Sequence, residues 1–213
     1  MAKKKEWKEG EIVLTFGLKM LIKPTKLMKE WLNVEMPILE GRELGNFEDL
    51  ANKAHKINIW NEESLKMKFI SPVLELGRVL EEEGFVSFFE KKLAAKVKNY
   101  KLSVKADFVI GSGLMDYMEK PYFHFQEYKP DKHPTGDSMA QLLEAFLIAQ
   151  HENADGKPLY GCEVNGAIWK FVIMENDTYC VSQSYDSSKK EDLLQIIAIL
   201  RKFRHILETV LLK

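Results

Sequence analysis

Three residues could do chemistry together. Asp107 lies in "VKADFVIG", and Glu127 and Lys129 lie in "FQEYK". Both stretches read as strands, and residues two apart on a strand point to one face. Glu127 and Lys129 therefore share a face. If the Asp107 strand is an antiparallel neighbour, Asp107 and Glu127 stand side by side. Two carboxylates make a hard-oxygen site suited to Mg²⁺ or Mn²⁺, to which the backbone carbonyl of Tyr128 would add a ligand. An ammonium beside such an ion stabilises charge on a transferred phosphate or orients an attacking water. On their own, the same residues also describe an exposed cross-strand salt bridge. The surrounding elements must decide.

Those elements are legible from residue 61 onward. "NEESLKMKFISPVLELGRVLEEEG" opens on a capping Asn61. Leu65, Phe69, Val73, Leu76 and Leu80 recur at helical spacing, and Gly84 ends the run. Pro72 predicts a break or kink near Ser71. "SFFEKKLAAKVK", "KLSVKADFVIG" and "YFHFQEYK" read as strands, parted by turns at Asn99-Tyr100 and at "GSGLMDYMEKP". "GDSMAQLLEAFLIAQHEN" is a helix capped by Asp137 or Ser138. "PLYGCEVNG", "AIWKFVIME" and "TYCVSQSYD" are three further strands, and the chain closes on a long amphipathic helix. Helix, three strands, helix, strands, helix is the order of an α/β domain with a mixed sheet. This domain is expected over residues 59–213. Residues 1–58 read as an N-terminal extension packed on or beside the core. In it, "EIVLTFGLKMLI" reads as a strand, "PTKLMKEWLN" as a helix opened by Pro24, Gly41–Gly45 as a turn and "NFEDLANKAHKI" as a helix capped by Asn46.

Composition bounds the rest. With 46% hydrophobic and 30% charged residues in 213, the chain reads as a soluble globular protein. Its formal net charge of -1 exerts no global pull on nucleic acid, so such binding needs a local patch. Cys162 and Cys180, in no metal-like spacing, read as buried reduced thiols of a cytoplasmic protein. The "KKKEWK" start reads as a disordered basic end. The apolar run after it is too short and interrupted for a signal peptide or a membrane span.

The order of motifs resembles the PD-(D/E)XK nuclease superfamily, with its restriction-endonuclease-like fold. It is most similar to the N-terminal nuclease domain of type I restriction enzyme R subunits and their small stand-alone relatives. "NEESLKMKFISPVLELG" resembles that group's opening helix, with Glu62 at the expected distance before Ile70. "KADFVI" matches the strand carrying the metal-binding Asp, and "FHFQEYKP" the strand with Glu-x-Lys. "AQLLEAF" resembles the following helix, in which Gln141 takes the place of a glutamine that often faces the site. "PLYGCEVNGAIWKFVIM" resembles the later hairpin. Ala106 replaces the superfamily's proline, and Ala145 stands where a tyrosine is expected. No G-x-x-x-x-G-K-[ST] motor motif is present.

The resemblance implies a central mixed sheet flanked by helices and a Mg²⁺- or Mn²⁺-dependent phosphodiesterase acting on DNA. Its metal ligands would be Asp107, Glu127, the Tyr128 carbonyl and Glu62. Its catalytic residues would be Asp107, Glu127, Lys129, Glu62 and Gln141. A protein partner or homodimer is compatible with it, and a membrane is not expected. The other reading is a catalytically silent module of the same fold, acting in DNA or protein binding.

Several further residues carry two readings. Glu62 and Glu63 also suit the first turn of a helix. His124 has the opposite parity to Glu127 and should face away from it, and His133 sits in a loop. Lys91, Lys92, Lys96, Lys98, Lys101 and Lys105 either track phosphates or decorate a solvated strand face. Trp169, Phe171 and Tyr179 read as core. "GSG" at Gly111–Gly113 reads as a turn.

Overall fold

The computed structural model describes residues 6–80, 84–114, 117–131 and 136–213. The first helix, α1 (Glu9–Phe16), stands where a strand was expected. Ile12 and Phe16 are both buried and four apart, which is the period of a helix face. Gly17, at φ 69°, ends the helix in the left-handed conformation, leaving only Lys19–Leu21 as strand β1. Trp7, expected in a disordered end, packs edge-on against Phe16 and Tyr100 with ring centroids 5.6 and 5.8 Å apart. Helix α2 (Lys26–Leu32) is capped by Thr25, whose hydroxyl accepts from the Met28 N–H. Helix α3 (Gly41–Lys53) begins before Asn46 and absorbs the expected Gly41–Gly45 turn. Glu43 in its first turn accepts from Arg78 and Arg201, tertiary contacts that sequence spacing cannot reveal. A 3₁₀ turn, Ala54–Ile59, follows.

Asn61 caps α4 (Glu62–Leu65), accepting from the Ser64 N–H at 2.8 Å. The helix does not break at Pro72. It passes through a π turn, Lys66–Ile70, into α5 (Ser71–Leu76). Proline lacks an N–H and crowds the carbonyl four residues back, and the wider turn upstream relieves both demands. The helix stops at Gly77, short of the expected Gly84. A Cβ on Gly77 would lie 2.7 Å from the Cβ of Leu200, so a side chain there would hold the last helix off.

Strands β2 (Val86–Val97) and β3 (Tyr100–Leu114) form a hairpin, turned at Lys98 with φ 52°. Gly111–Gly113 belongs to β3, not to a turn. A Cβ on Gly113 would come within 2.2 Å of the Tyr117 carbonyl, so glycine permits an irregular, close strand pairing there. Strand β4 (Tyr117–Lys129) returns antiparallel. Helix α6 (Ser138–Asn153) is capped by Asp137, which accepts from the Ala140 N–H at 2.9 Å. Strand β5 (Leu159–Asn165) joins β4 in parallel, and β6 (Ile168–Glu175) joins β5 antiparallel. "TYCVSQSYD" splits into β7 (Thr178–Val181) and β8 (Tyr185–Asp186), which both pair with β6. Helix α7 (Lys190–Ile206) and a π turn, Leu207–Leu211, close the chain.

The described strands form one mixed sheet in the order β1-β7-β6-β5-β4-β3-β2, with β8 beside β6. The protein is thus α/β, with helices on both faces. Residues 6–58 put β1 into the sheet, parallel to β7, and Met28, Trp31, Phe47 and Leu50 into the larger core. Trp31 donates to the Ile199 carbonyl at 3.1 Å and packs edge-on against Tyr160 and Phe171. On the other face α6 and α1 cover Val109, Phe125 and Val172. Trp169, Phe171 and Tyr179 are core residues, and Cys162 and Cys180 are buried free thiols. No helix among the described residues is long and apolar enough to cross a membrane. His133 lies outside the described residues.

His124 does face away from Glu127. It is fully buried against Phe203, with centroids 4.5 Å apart, and bonds Gln126, which accepts from the Tyr128 hydroxyl. Burial pushes its imidazole down to about 3. The unfolded chain then binds one more proton between that value and the ordinary one near pH 6.5, so this group costs stability as pH falls through that window. Denaturant titrations from pH 7 to 4 should show the parent losing about 1.4 kcal/mol per pH unit relative to His124→Asn below pH 6. Parallel curves for the two proteins would show that His124 stays protonated in the fold.

Candidate metal centre

The site lies where two strands part. β3 and β4 pair from Leu114↔Tyr117 down to Phe108↔Gln126 and then separate. β3 runs on to Tyr100 beside β2, while β4 runs on to Lys129 beside β5. The first residues beyond the last pair are Asp107 and Glu127. At the fork the Tyr128 N–H has no strand partner, and it donates instead to Asp107 Oδ2 at 2.8 Å. The Lys129 carbonyl accepts from Gly166 on the β5 side. Successive residues of a strand turn their backbone groups to opposite sides, and one residue's N–H and C=O leave on the same side. The Tyr128 carbonyl therefore also faces the fork.

Phe125 packs into the α6 cluster, and Glu127 and Lys129 continue its parity. His124, Gln126 and Tyr128 occupy the other parity. Asp107 and Glu127 are both buried, and the Asp107 carboxylate and the Lys129 ammonium both act electrostatically on Glu127. Burial first, and the Asp107 charge second, hold the Glu127 carboxyl well above the usual carboxylate range. Glu127 Oε1 is buried without a hydrogen-bond partner.

On the other side of Asp107 stands a residue the sequence reading did not single out. Lys66, in the π turn, donates to Asp107 Oδ1 at 2.6 Å, to Glu62 Oε1 at 2.8 Å and to Glu90 Oε1 at 2.6 Å. Burial works against its charge, but the bonds to Asp107, Glu62 and Glu90 outweigh it and raise the ammonium above the ordinary lysine value. Glu62 Oε2 also lies 3.9 Å from Lys129 Nζ, so Glu62 links the two lysines. Glu90 was missed as well. It sits at φ 62° in the middle of β2 and pairs with Lys66 and Lys105. Partial burial opposes its charge, yet those two lysines hold its carboxyl below the ordinary value. Lys66 had a signal in its spacing, four residues after Glu62 on one helix face. Glu90 had none, because a left-handed residue within a strand is a tertiary outcome.

Glu62, Lys66, Phe89, Glu90 and Lys105 line a cleft of about 600 Å³. Glu63 lines it too and is exposed. Gln141 falls in the first turn of α6, beside Gly136, and its Oε1 is buried without a partner. Among the described residues it makes no side-chain hydrogen bond to Asp107, Glu127 or Lys129. Ser138 of the same turn donates at 2.6 Å to Glu163, the β5 residue level with Glu127.

The structure thus brings Asp107, Glu127, Lys129 and Glu62 together. The donors that could hold a divalent ion are the carboxylates of Glu62, Glu90 and Asp107, whose oxygens lie within 4.8 Å of one another around Lys66, with the buried Glu127 carboxyl and the Tyr128 carbonyl at the fork. All are hard oxygens, and one is a buried oxygen lacking a hydrogen bond, so the set fits Mg²⁺ or Mn²⁺. Searches against protein-family models and against curated proteins find no match for this chain.

Without a cation, Glu127 is a poorly matched buried acid. Glu127→Gln removes the charge conflict, and its amide can donate to Asp107. In chelator at neutral pH the variant should be stabilised by about 1–3 kcal/mol. That raises the melting temperature by about 2–4 °C per kcal/mol for a chain of this length. A melting temperature below the parent's would mean that Glu127 is satisfied as it stands.

Proposed function

We propose that this protein is a restriction-endonuclease-like phosphodiesterase that hydrolyses DNA with Mg²⁺ or Mn²⁺. The observation that carries the reading is the fork. It sets Asp107 and Glu127 side by side, Lys129 on their face, and leaves a buried Glu127 oxygen unmatched. A purely structural ion pair has no need of a second buried acid whose charge works against the first. The motif order Asp, Glu-x-Lys, then a helix with Gln141, supports the superfamily assignment.

On this reading, Asp107, Glu127 and the Tyr128 carbonyl hold the ion. Bound there, it supplies Lewis-acid polarisation of a phosphoryl oxygen and a more acidic water. Lys129, almost wholly buried, presents its ammonium where charge builds on the phosphoryl group, and low local dielectric strengthens that contact. Glu62 holds Lys129 from the helix side. Lys66 balances Asp107, Glu62 and Glu90, so the cluster of acids does not repel the phosphate outright. Two buried free thiols suit the reducing cytoplasm, where DNA is also found.

A second reading rests on Lys66. Its ammonium already supplies a cation to three carboxylates, which is how a silent module of this fold would satisfy an inherited acidic site. Two measurements separate the readings. Mg²⁺ or Mn²⁺ should raise the parent's melting temperature, because a ligand that prefers the native state stabilises it. It should leave Glu127→Gln nearly unmoved. Purified parent should cut duplex or single-stranded DNA only with the metal. Lys129→Ala should fold normally and turn over about a hundredfold slower or worse, with the loss in kcat rather than in substrate binding. A parent that neither responds to metal nor cuts any DNA form would establish the silent module.

A further inference from the structure

The β2–β3 hairpin carries four lysines in a two-by-two array. The register sets Lys92 opposite Lys105 and Lys96 opposite Lys101, with Ala94 opposite Ser103 between them. Leu93, Leu102 and Val104 pack toward α6, so by alternation the four lysines share the other face. All four are exposed. Lys105 pairs with Glu90, while Lys92, Lys96 and Lys101 carry no ion pair among the described residues. The two other lysines of this hairpin are engaged locally. Lys91 lies over the Phe88 ring, and Lys98 donates to the Phe16 carbonyl.

Like charges directly opposite on adjacent strands destabilise a sheet. A solvated face needs lysines, but it does not need them opposed twice, with only alanine and serine between. The array is also not an instance of general positive charge, since the chain's net charge is -1. Its position adds direction. Lys105, in the first rung, is on the wall of the cleft that holds Glu62, Lys66 and Glu90. The second rung lies four residues further out, about 13 Å away. Duplex DNA presents about eight phosphate charges over that length.

We propose that this face of the hairpin is a docking surface for the DNA phosphate backbone, leading the duplex into the cleft. The choice of DNA rests on the nuclease reading above, and the array itself does not depend on catalysis. The test is binding of a labelled duplex in EDTA, where nothing is cut, across a salt series. The parent is compared with a variant carrying Lys92→Gln, Lys96→Gln and Lys101→Gln, which leaves the Lys105–Glu90 pair intact. Loss of three phosphate contacts should flatten the slope of log K against log salt by about 2.7 and weaken binding most at low salt. The variant's melting temperature should equal or exceed the parent's, because two like-charge pairs are relieved. Unchanged slope and affinity in the variant would overturn the proposal. So would a parent that binds no duplex, or one that binds polyglutamate more tightly than DNA. A parent that binds with a lysine-dependent slope yet never cuts would keep this surface and discard the nuclease reading.

Discussion

A buried ammonium organises this end of the molecule. Lys66 brings its charge out of water, a cost that only close, well-aligned partners can offset. Its three carboxylate partners come from three separate elements: Glu62 from α4, Glu90 from β2 and Asp107 from β3. Each alone would repel the others, and Lys66 makes their convergence tolerable. The same contacts tie the opening helix to the sheet at the point where the sheet divides. The π turn matters here because it contains Lys66 and also accommodates Pro72 two residues beyond its end.

The fork shapes the candidate site on the other side of Asp107. Where β3 and β4 part, backbone groups that would have paired with each other are released, and the Asp107 carboxylate takes up one of them. Glu127 is left facing Asp107 with no such partner. β4 then serves two faces at once. Its Glu127 and Lys129 form the site, while His124, Gln126 and Tyr128 form a hydrogen-bonded row on the opposite side, packed under Trp31 and Phe203. That row sits in a well-packed interior, where side chains have little room to shift. The orientation of Glu127 and Lys129 is therefore set by the core behind them as much as by the site.

Charge is segregated rather than abundant. The acids converge in the cleft around Lys66, and the unpaired lysines stand on the adjoining hairpin face. A near-neutral chain can then present a positive surface beside a cleft whose acids are largely matched by Lys66 and Lys105, and local arrangement rather than net charge sets the field at each.

By itself the sequence determined what depends on short-range pattern. Period-2 alternation marked β3 to β6. Period-3.6 spacing and the caps Asn61 and Asp137 marked the helices around the site. The pairing of Glu127 with Lys129 and the turning away of His124 follow from the alternation of a strand alone. Where a short apolar run fits either period, as in residues 11–22, pattern favoured a strand, and packing of Ile12 and Phe16 chose a helix. Only the tertiary structure decided where β3 and β4 separate, that Glu90 turns left-handed to reach Lys66, and that β1 joins the sheet beside β7. The lysines of β2 and β3 were countable from the sequence, but their opposition was not. Register is a relation between strands, fixed by the side chains that both must bury, and no single strand's sequence contains it.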